Sequence, residues 1–257
     1  MAESTAITKA VSTRLAIMSR NVQEITEFIS ENMGGQAVTL RNLVKIKMPT
    51  GGGQAWTIPT AEGDEMLREF ECVIPTWTTR RVFWDSKYGE GEAGAPPACW
   101  SDDGVTGKGE YGVNGPYGHN GDCTTCPMNQ WPDKDAKRRR KPCREMRVVM
   151  MLLCADGKAI TGEQVLPYAL ILTPGSLKTF GDFMIKLSSL GRSYLGATIK
   201  IGLQKVENRT GLDYSQATFA AGQQLTQDET AWLRAYGAAM LPSMNKVTID
   251  QGDMGGE

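Results

Sequence analysis

Cys123-Thr124-Thr125-Cys126 is the run whose residue types and spacing point most directly at chemistry. Two residues between cysteines let both thiolates reach one ion while turn amides point at their sulfurs. Cys99 precedes the pair and Cys143 follows it within the same irregular segment, and four thiolates complete the closed tetrahedral shell of a structural Zn²⁺. His119, the only histidine, stands four positions before Cys123 and is the alternative to Cys99 as fourth ligand. A catalytic zinc needs an open position and a nearby base, so four available thiolates favour a closed site. An iron–sulfur cluster is the weaker alternative, because its ligands are usually spaced more tightly. The bland reading is that the four are free surface thiols. Cys72 and Cys154 each lie in an apolar, strand-like run and read as small core residues.

Lys137-Arg138-Arg139-Arg140-Lys141 lies between Cys126 and Cys143. From Lys134 to Arg147 there are eight Lys or Arg against Asp135 and Glu145, so a net charge of −1 hides a local basic stripe. Cations held on a loop tied down at both sides attract phosphate without regard to base sequence. The bland reading is a solvated charge run. Five of the six tryptophans, Trp56, Trp77, Trp84, Trp100 and Trp131, fall between positions 56 and 131. Unpaired bases stack on such rings, at about 1–3 kcal/mol each. For any single tryptophan packing is the commoner role, so only part of the group is expected to stack. Arg41, Lys45, Lys47, Arg80 and Arg81 are placed to track a nucleic-acid backbone across the sheet.

Enzyme chemistry finds little support, and the expectation is a non-enzymatic protein. Gly104–Lys108 lacks the spacing of a phosphate-cradling loop. Asp102-Asp103 is a candidate metal pair for nuclease chemistry, but paired acids beside a turn more often form the turn. A single histidine leaves few bases that titrate near neutrality.

The elements that must position these residues follow from periodicity. An amphipathic helix is expected over Lys9–Asn32, with Val11, Leu15, Met18, Val22, Ile25 and Ile29 as a heptad stripe. It packs on the domain body or serves as a self-association or partner helix. A strand is expected over Val38–Met48, with Val38, Leu40, Val44, Ile46 and Met48 on one face, and Gly51–Gly53 turn a hairpin into Gln54–Pro59. Phe70, Cys72 and Ile74 share one side of another strand, and Arg80–Trp84 reads as one more.

Periodicity then vanishes until Pro142, a stretch too long to stay structureless inside a domain unless metal orders it. Met146–Cys154 reads as a central strand, Leu166–Thr173 as its neighbour, and Ser176–Leu190 as a helix whose buried face is Leu177, Phe180, Phe183, Met184, Leu187 and Leu190. Strands over Ala197–Glu207 and Tyr214–Ala221 follow. A capping box from Thr226 to Glu229 opens the last helix, which carries Trp232, Leu233 and Tyr236, and the tail after Leu241 reads as unstructured.

The fold class is therefore α+β: an OB-like five-stranded β-barrel with an inserted zinc-ribbon-like subdomain and flanking helices. Residues 1–35 form the N-terminal helix, 36–84 and 146–225 the barrel, 85–145 the zinc-binding insertion, and 226–257 the last helix with a flexible tail.

These residues resemble the single-stranded DNA-binding proteins of bacteriophages and related mobile elements, in which an OB fold carries an inserted zinc-binding segment. The resemblance rests on Pro97-Ala98-Cys99-Trp100-Ser101-Asp102-Asp103-Gly104, on Cys123-Thr124-Thr125-Cys126-Pro127, and on Lys141-Pro142-Cys143 leading into an apolar strand. Strand, Pro174-Gly175-Ser176 and helix over Leu166–Leu190 add to it, and it spans roughly residues 36–225. It implies protection of transient single-stranded DNA during replication or recombination, with replication or recombination proteins as partners. Only the four cysteines carry over as site residues. The expected compartment is the cytoplasm, that of the host cell if the chain is phage-encoded. No apolar run approaches the roughly 20 residues needed to cross a bilayer, and the start of the chain lacks the layout of a secretory signal. The rival readings are a zinc-containing adaptor of a larger assembly and a strand-annealing recombinase.

Overall fold

A strand of 15 residues, β4 (Glu69–Phe83), organises the molecule, seen here in a computed structural model. The described residues are 18, 20–36, 38, 42–60, 63–85, 97–116, 120–133, 140–154, 165–208 and 211–244. Along one edge β4 pairs antiparallel with β7 (Arg144–Leu153) from Cys72 to Val82. The register shifts between Val73 and Thr76, where Pro75 has no N–H to give the ladder. The other edge is shared. Its first four residues pair with β9 (Ala197–Glu207), its last three with β5 (Cys99–Ser101).

The remaining strands extend this frame. β8 (Tyr168–Leu172) lies antiparallel beside β7, and β1 (Lys45–Ile46) runs parallel on the far edge of β8. β10 (Asp213–Gln224) pairs with β9, and β6 (Lys108–Gly109) with β5. The result is an eight-stranded mixed sheet curled into a half-barrel, rather than the five strands expected. A separate hairpin joins β2 (Trp56–Thr60) to β3 (Gly63–Leu67).

Both faces of the sheet are covered, which explains why residues 148–153 of β7 read as an unbroken apolar run. On one side Val149, Met151 and Leu153 pack with Trp56, Phe70, Cys72 and Ile74 beneath helix α2 (Pro174–Ser189), whose Phe180, Phe183 and Leu187 are buried. On the other side Met146, Val148, Met150 and Leu152 meet α1 (Val22–Asn32) and α3 (Gln227–Met244). Gly237 lets α3 approach the bulge in β4, since a Cβ there would run into the carbonyl of Pro75. The capping box forms reciprocally: Thr226 N–H donates to Glu229 at 2.7 Å, and Glu229 N–H to Thr226 Oγ1 at 3.2 Å.

Several expectations need correction. Among the described residues the Val38–Met48 strand is limited to Lys45–Ile46, and just before it Leu43 turns inward while Val44 is exposed, breaking the alternation. Gly51 and Gly52 do make a turn, with φ of 62° and 76°, but no hairpin: β1 pairs with β8 and β2 with β3. Leu190 follows the last turn of α2 and is exposed rather than buried. Of the N-terminal stripe, Ile25 and Ile29 are buried and Met18 and Val22 pack against the same core, so this part packs on the molecule's own body. The Trp232 ring N–H, on α3, fastens the approach to α1 by donating to the Arg20 carbonyl at 2.7 Å. Helix α3 continues to Met244, past the expected end at Leu241, while residues 9–17 and 19 of the expected N-terminal helix and the tail beyond Met244 lie outside the described residues. No helix among the described residues is long and apolar enough to cross a membrane.

Candidate metal centre and nucleic-acid surface

The connection from β4 to β7 brings three stretches of chain together. Cys99 opens β5, opposite Phe83 of β4 and Gly109 of β6. Gly109 has φ of 85° and lies against the Trp100 ring, where a Cβ would sit 2.6 Å from a ring carbon; only glycine fits. After β5 the chain reverses around Asp103, whose Oδ1 accepts the Val105 and Thr106 N–H groups at 2.7 Å each and the Ser101 hydroxyl at 2.9 Å. Those donors hold the Asp103 carboxyl down at about 2 against the upward push of its partial burial. Asp102 points elsewhere, pairing with buried Arg80 and with Lys108 at 2.8 Å. Both acids of the candidate nuclease pair are thus engaged within the fold.

The thiol pair is laid against this turn by backbone bonds. Gly107 N–H donates to the Gly121 carbonyl at 2.6 Å and Cys123 N–H to the Val105 carbonyl at 2.8 Å. Asp122 takes the Thr124 N–H at 2.8 Å, an Asx turn that shapes the path between the two cysteines. A short 3₁₀ turn, Pro127–Asn129, follows Cys126, and Cys143 N–H donates to the Met128 carbonyl at 2.8 Å just before β7 begins.

Cys99, Cys123, Cys126 and Cys143 consequently line one cavity of about 10 Å³, room for a single ion or water. Burial above all, with the neighbouring thiols adding to it, pushes the Cys143 thiol up to about 12 against the Arg81 charge and the Cys99 thiol up to about 11. Cys123 is raised for the same reasons, less the help of the Ser101 hydroxyl and the Arg81 charge. Two observations on the metal differ here. The four thiols share a cavity, yet among the described residues no group of three or more His, Cys, Asp or Glu stands together as a metal-holding cluster. The shared cavity weighs more, because four thiols lining one ion-sized space is the arrangement a closed site needs. The donor set, four soft sulfurs without a nearby carboxylate ligand, fits Zn²⁺. Cys72 and Cys154, in contrast, are buried in the two cores as expected.

Arg81 and Asn129 brace this centre, and sequence reasoning gave neither that role. The Arg81 guanidinium donates to the Gly104 carbonyl at 2.9 Å and to Asn129 Oδ1 at 2.8 Å, and pairs with Glu145 at 2.5 Å. Burial alone would raise the Glu145 carboxyl, but its bond to Arg147 and the charges of Arg81, Arg147 and Lys141 bring it below its usual range. Asn129 is buried and donates from Nδ2 to the Cys123 carbonyl at 2.6 Å. Glu145 and Arg147 break the apolar run of β7 on a single face, the one signal in the sequence that this end of the strand serves something other than packing.

The proposed nucleic-acid residues divide sharply. Trp131 is 70% exposed, with the Lys141 ammonium 5.7 Å from its ring centroid. Arg140 and Lys47 are exposed, and Lys45 is half-buried. Trp56 is fully buried, edge-on to Phe70 at 5.6 Å, so it offers no face to a base. Trp77 is half-buried between Phe180 and the Arg147 guanidinium, and Trp84 and Trp100 pack against the core beneath α1 and α3. Arg80 is 1% exposed, paired with Asp102, and Arg81 is occupied as described. Trp56 and Arg80 are therefore core residues, and Arg81 is a brace. Arg41, His119, Lys137, Arg138 and Arg139 lie outside the described residues.

Compared with protein-family models, with curated proteins and with solved structures, the chain matches none.

Proposed function

We propose that this chain is a non-enzymatic protein that coats and protects single-stranded DNA during replication or recombination, largely without regard to sequence. Cys99, Cys123, Cys126 and Cys143 hold a structural Zn²⁺ in this reading, and the ion contributes shape rather than reaction chemistry. Strand order supports the OB-like part of the proposal. Leaving β1, β5 and β6 aside, the sheet runs β8-β7-β4-β9-β10, with α2 between β8 and β9. Taken as an OB fold, this order makes β4 the first strand and puts the helix between third and fourth. β1 borders β8, and Gly53 accepts the Ser215 hydroxyl from β10 at 2.8 Å, so this segment occupies the gap where a barrel would close.

The cysteine-rich segment is then the connection between first and second barrel strands, one of the two loops with which OB folds hold oligonucleotides. The observation that carries the functional reading is on that segment. An exposed Trp131 beside Lys141 offers a ring for a base and a cation for its phosphate, at the edge of the basic run. Sequence-independent binding in the cytoplasm is consistent with contacts of this kind, which read no base edges.

Fluorescence titration with single- and double-stranded oligonucleotides, with zinc measured on the same sample, tests the proposal. Single-strand preference, tryptophan quenching and steep salt dependence are expected. No binding at low salt would replace it with the adaptor reading, and rapid annealing with ring or filament formation with the recombinase reading.

A further inference from the structure

We infer that Asn129 is a positioning residue that makes DNA binding depend on the thiol cluster, by holding Lys141 beside Trp131 only while the Cys123–Cys126 turn is fastened. The inference rests on the single-stranded DNA reading and adds a regulation to it. Asn129 sits three residues after Cys126, at the end of the 3₁₀ turn, and its side chain is used from both ends. Its Nδ2 donates to the Cys123 carbonyl at 2.6 Å. Its Oδ1 accepts from Arg81 at 2.8 Å and from the Lys141 ammonium at 3.2 Å.

A carboxamide is the side chain that both donates and accepts in this way. Lysine is otherwise a point charge on a flexible four-carbon stem. Here its ammonium is anchored by Asn129 while the Cys143 N–H, two residues further on, fastens the backbone to Met128. The thiol cluster thus grips Lys141 from two directions. The ligand recognised is one nucleotide unit of a single strand: its base on the Trp131 ring, its phosphate on Lys141. Loss of the ion frees the turn and Asn129 with it, so the cation and the ring no longer present one nucleotide's geometry.

The test uses the full chain, zinc-loaded, with a fluorescently labelled oligo-thymidine read by anisotropy over a salt series. Asn129→Leu, Lys141→Gln and their double variant are compared with the wild type, and zinc is measured in each. Each single variant should weaken binding about tenfold and flatten the salt slope by about 0.7, the share of one neutralised phosphate. The double variant should bind no more weakly than Lys141→Gln alone, since both changes cut one path.

Chelation keeps the test open if Asn129→Leu sheds zinc. Stripping the ion should weaken the wild type by a larger factor than Lys141→Gln, which has already lost the contact that Asn129 holds. Asn129→Leu binding like the wild type, fully additive losses, or equal loss in Lys141→Gln on chelation would overturn the inference while leaving DNA binding intact. A wild type indifferent to the oligonucleotide would instead overturn the functional reading itself, and the inference with it.

Discussion

Arg81 donates to the side-chain oxygen of Asn129 across 48 positions of sequence, at 2.8 Å, and so ties the long strand to the turn that follows the thiol pair. The same guanidinium meets the Gly104 carbonyl and Glu145, which makes it the common brace of three stretches of chain. Replacing Arg81 with Met takes one donor from each of these acceptors, leaving Asn129 with Lys141 and Glu145 with Arg147. A cost of about 2 kcal/mol is expected, the partial exposure of the pair keeping it below that of a fully buried ion pair. Urea denaturation measures it, and hydrogen exchange should show the loss concentrated in residues 99–131.

Replacing Cys123 and Cys126 with Ser removes two of the four sulfurs lining the cavity. Zinc should be released and the β4–β7 connection loosened, because the ion's binding energy is also folding energy for the segment. Elemental analysis of the purified variant decides this; an unchanged zinc content would refute the ligand assignment.

Trp56 and Trp131 should behave as opposites. Trp131→Ala should weaken oligonucleotide binding by about 1–3 kcal/mol while shifting stability by no more than roughly 0.5 kcal/mol. Trp56→Ala should cost about 3–5 kcal/mol of stability through the cavity it leaves in the core. Paired denaturation and binding titrations on both variants read the contrast.

Neutralising Lys137–Lys141 removes five cations from the insertion. Affinity should fall, and the logarithmic salt slope should flatten by up to about 0.7 for each phosphate that the chain no longer neutralises. An unaltered slope would locate the binding surface elsewhere.

Asp103→Ala removes the acceptor for three donors in the turn after β5. At neutral pH the variant should be less stable by about 1 kcal/mol, a modest figure because the group is exposed to solvent. The Asp103 carboxyl is held at about 2 in the folded chain, below its unfolded value of about 3.9. Its contribution is therefore complete above the unfolded value and is lost as pH falls through about 2. The stability difference between wild type and variant should shrink over that window in acid denaturation.

Periodic elements were legible in the sequence. β9 occupies the Ala197–Glu207 range its alternation indicates, β7 and α2 fall within two residues of expectation, and Thr226 and Glu229 cap α3 as their spacing requires. What periodicity does not encode is the distant partner. β1 pairs with β8, 124 residues away, and not with the chain just after its own turn. Arg80 and Arg81 look alike in sequence, yet neighbouring strand residues face opposite sides. One meets buried Asp102, the other Glu145 and Asn129, and both acceptor sets lie in stretches without a repeating pattern. The cysteine spacing identified the set that shares a cavity, whereas tryptophan content could not separate Trp56 inside the sheet from Trp131 outside it.

An ion that holds the thiol-lined segment in shape, so that Trp131 and Lys141 meet unpaired bases, is the centre of the proposed function. A mobility shift comparing single- with double-stranded DNA, on protein whose zinc content is measured in the same preparation, tests it most directly. One zinc per chain with a clear preference for the single strand is the predicted result. Metal-free protein that is fully folded and leaves both DNAs unshifted would contradict it.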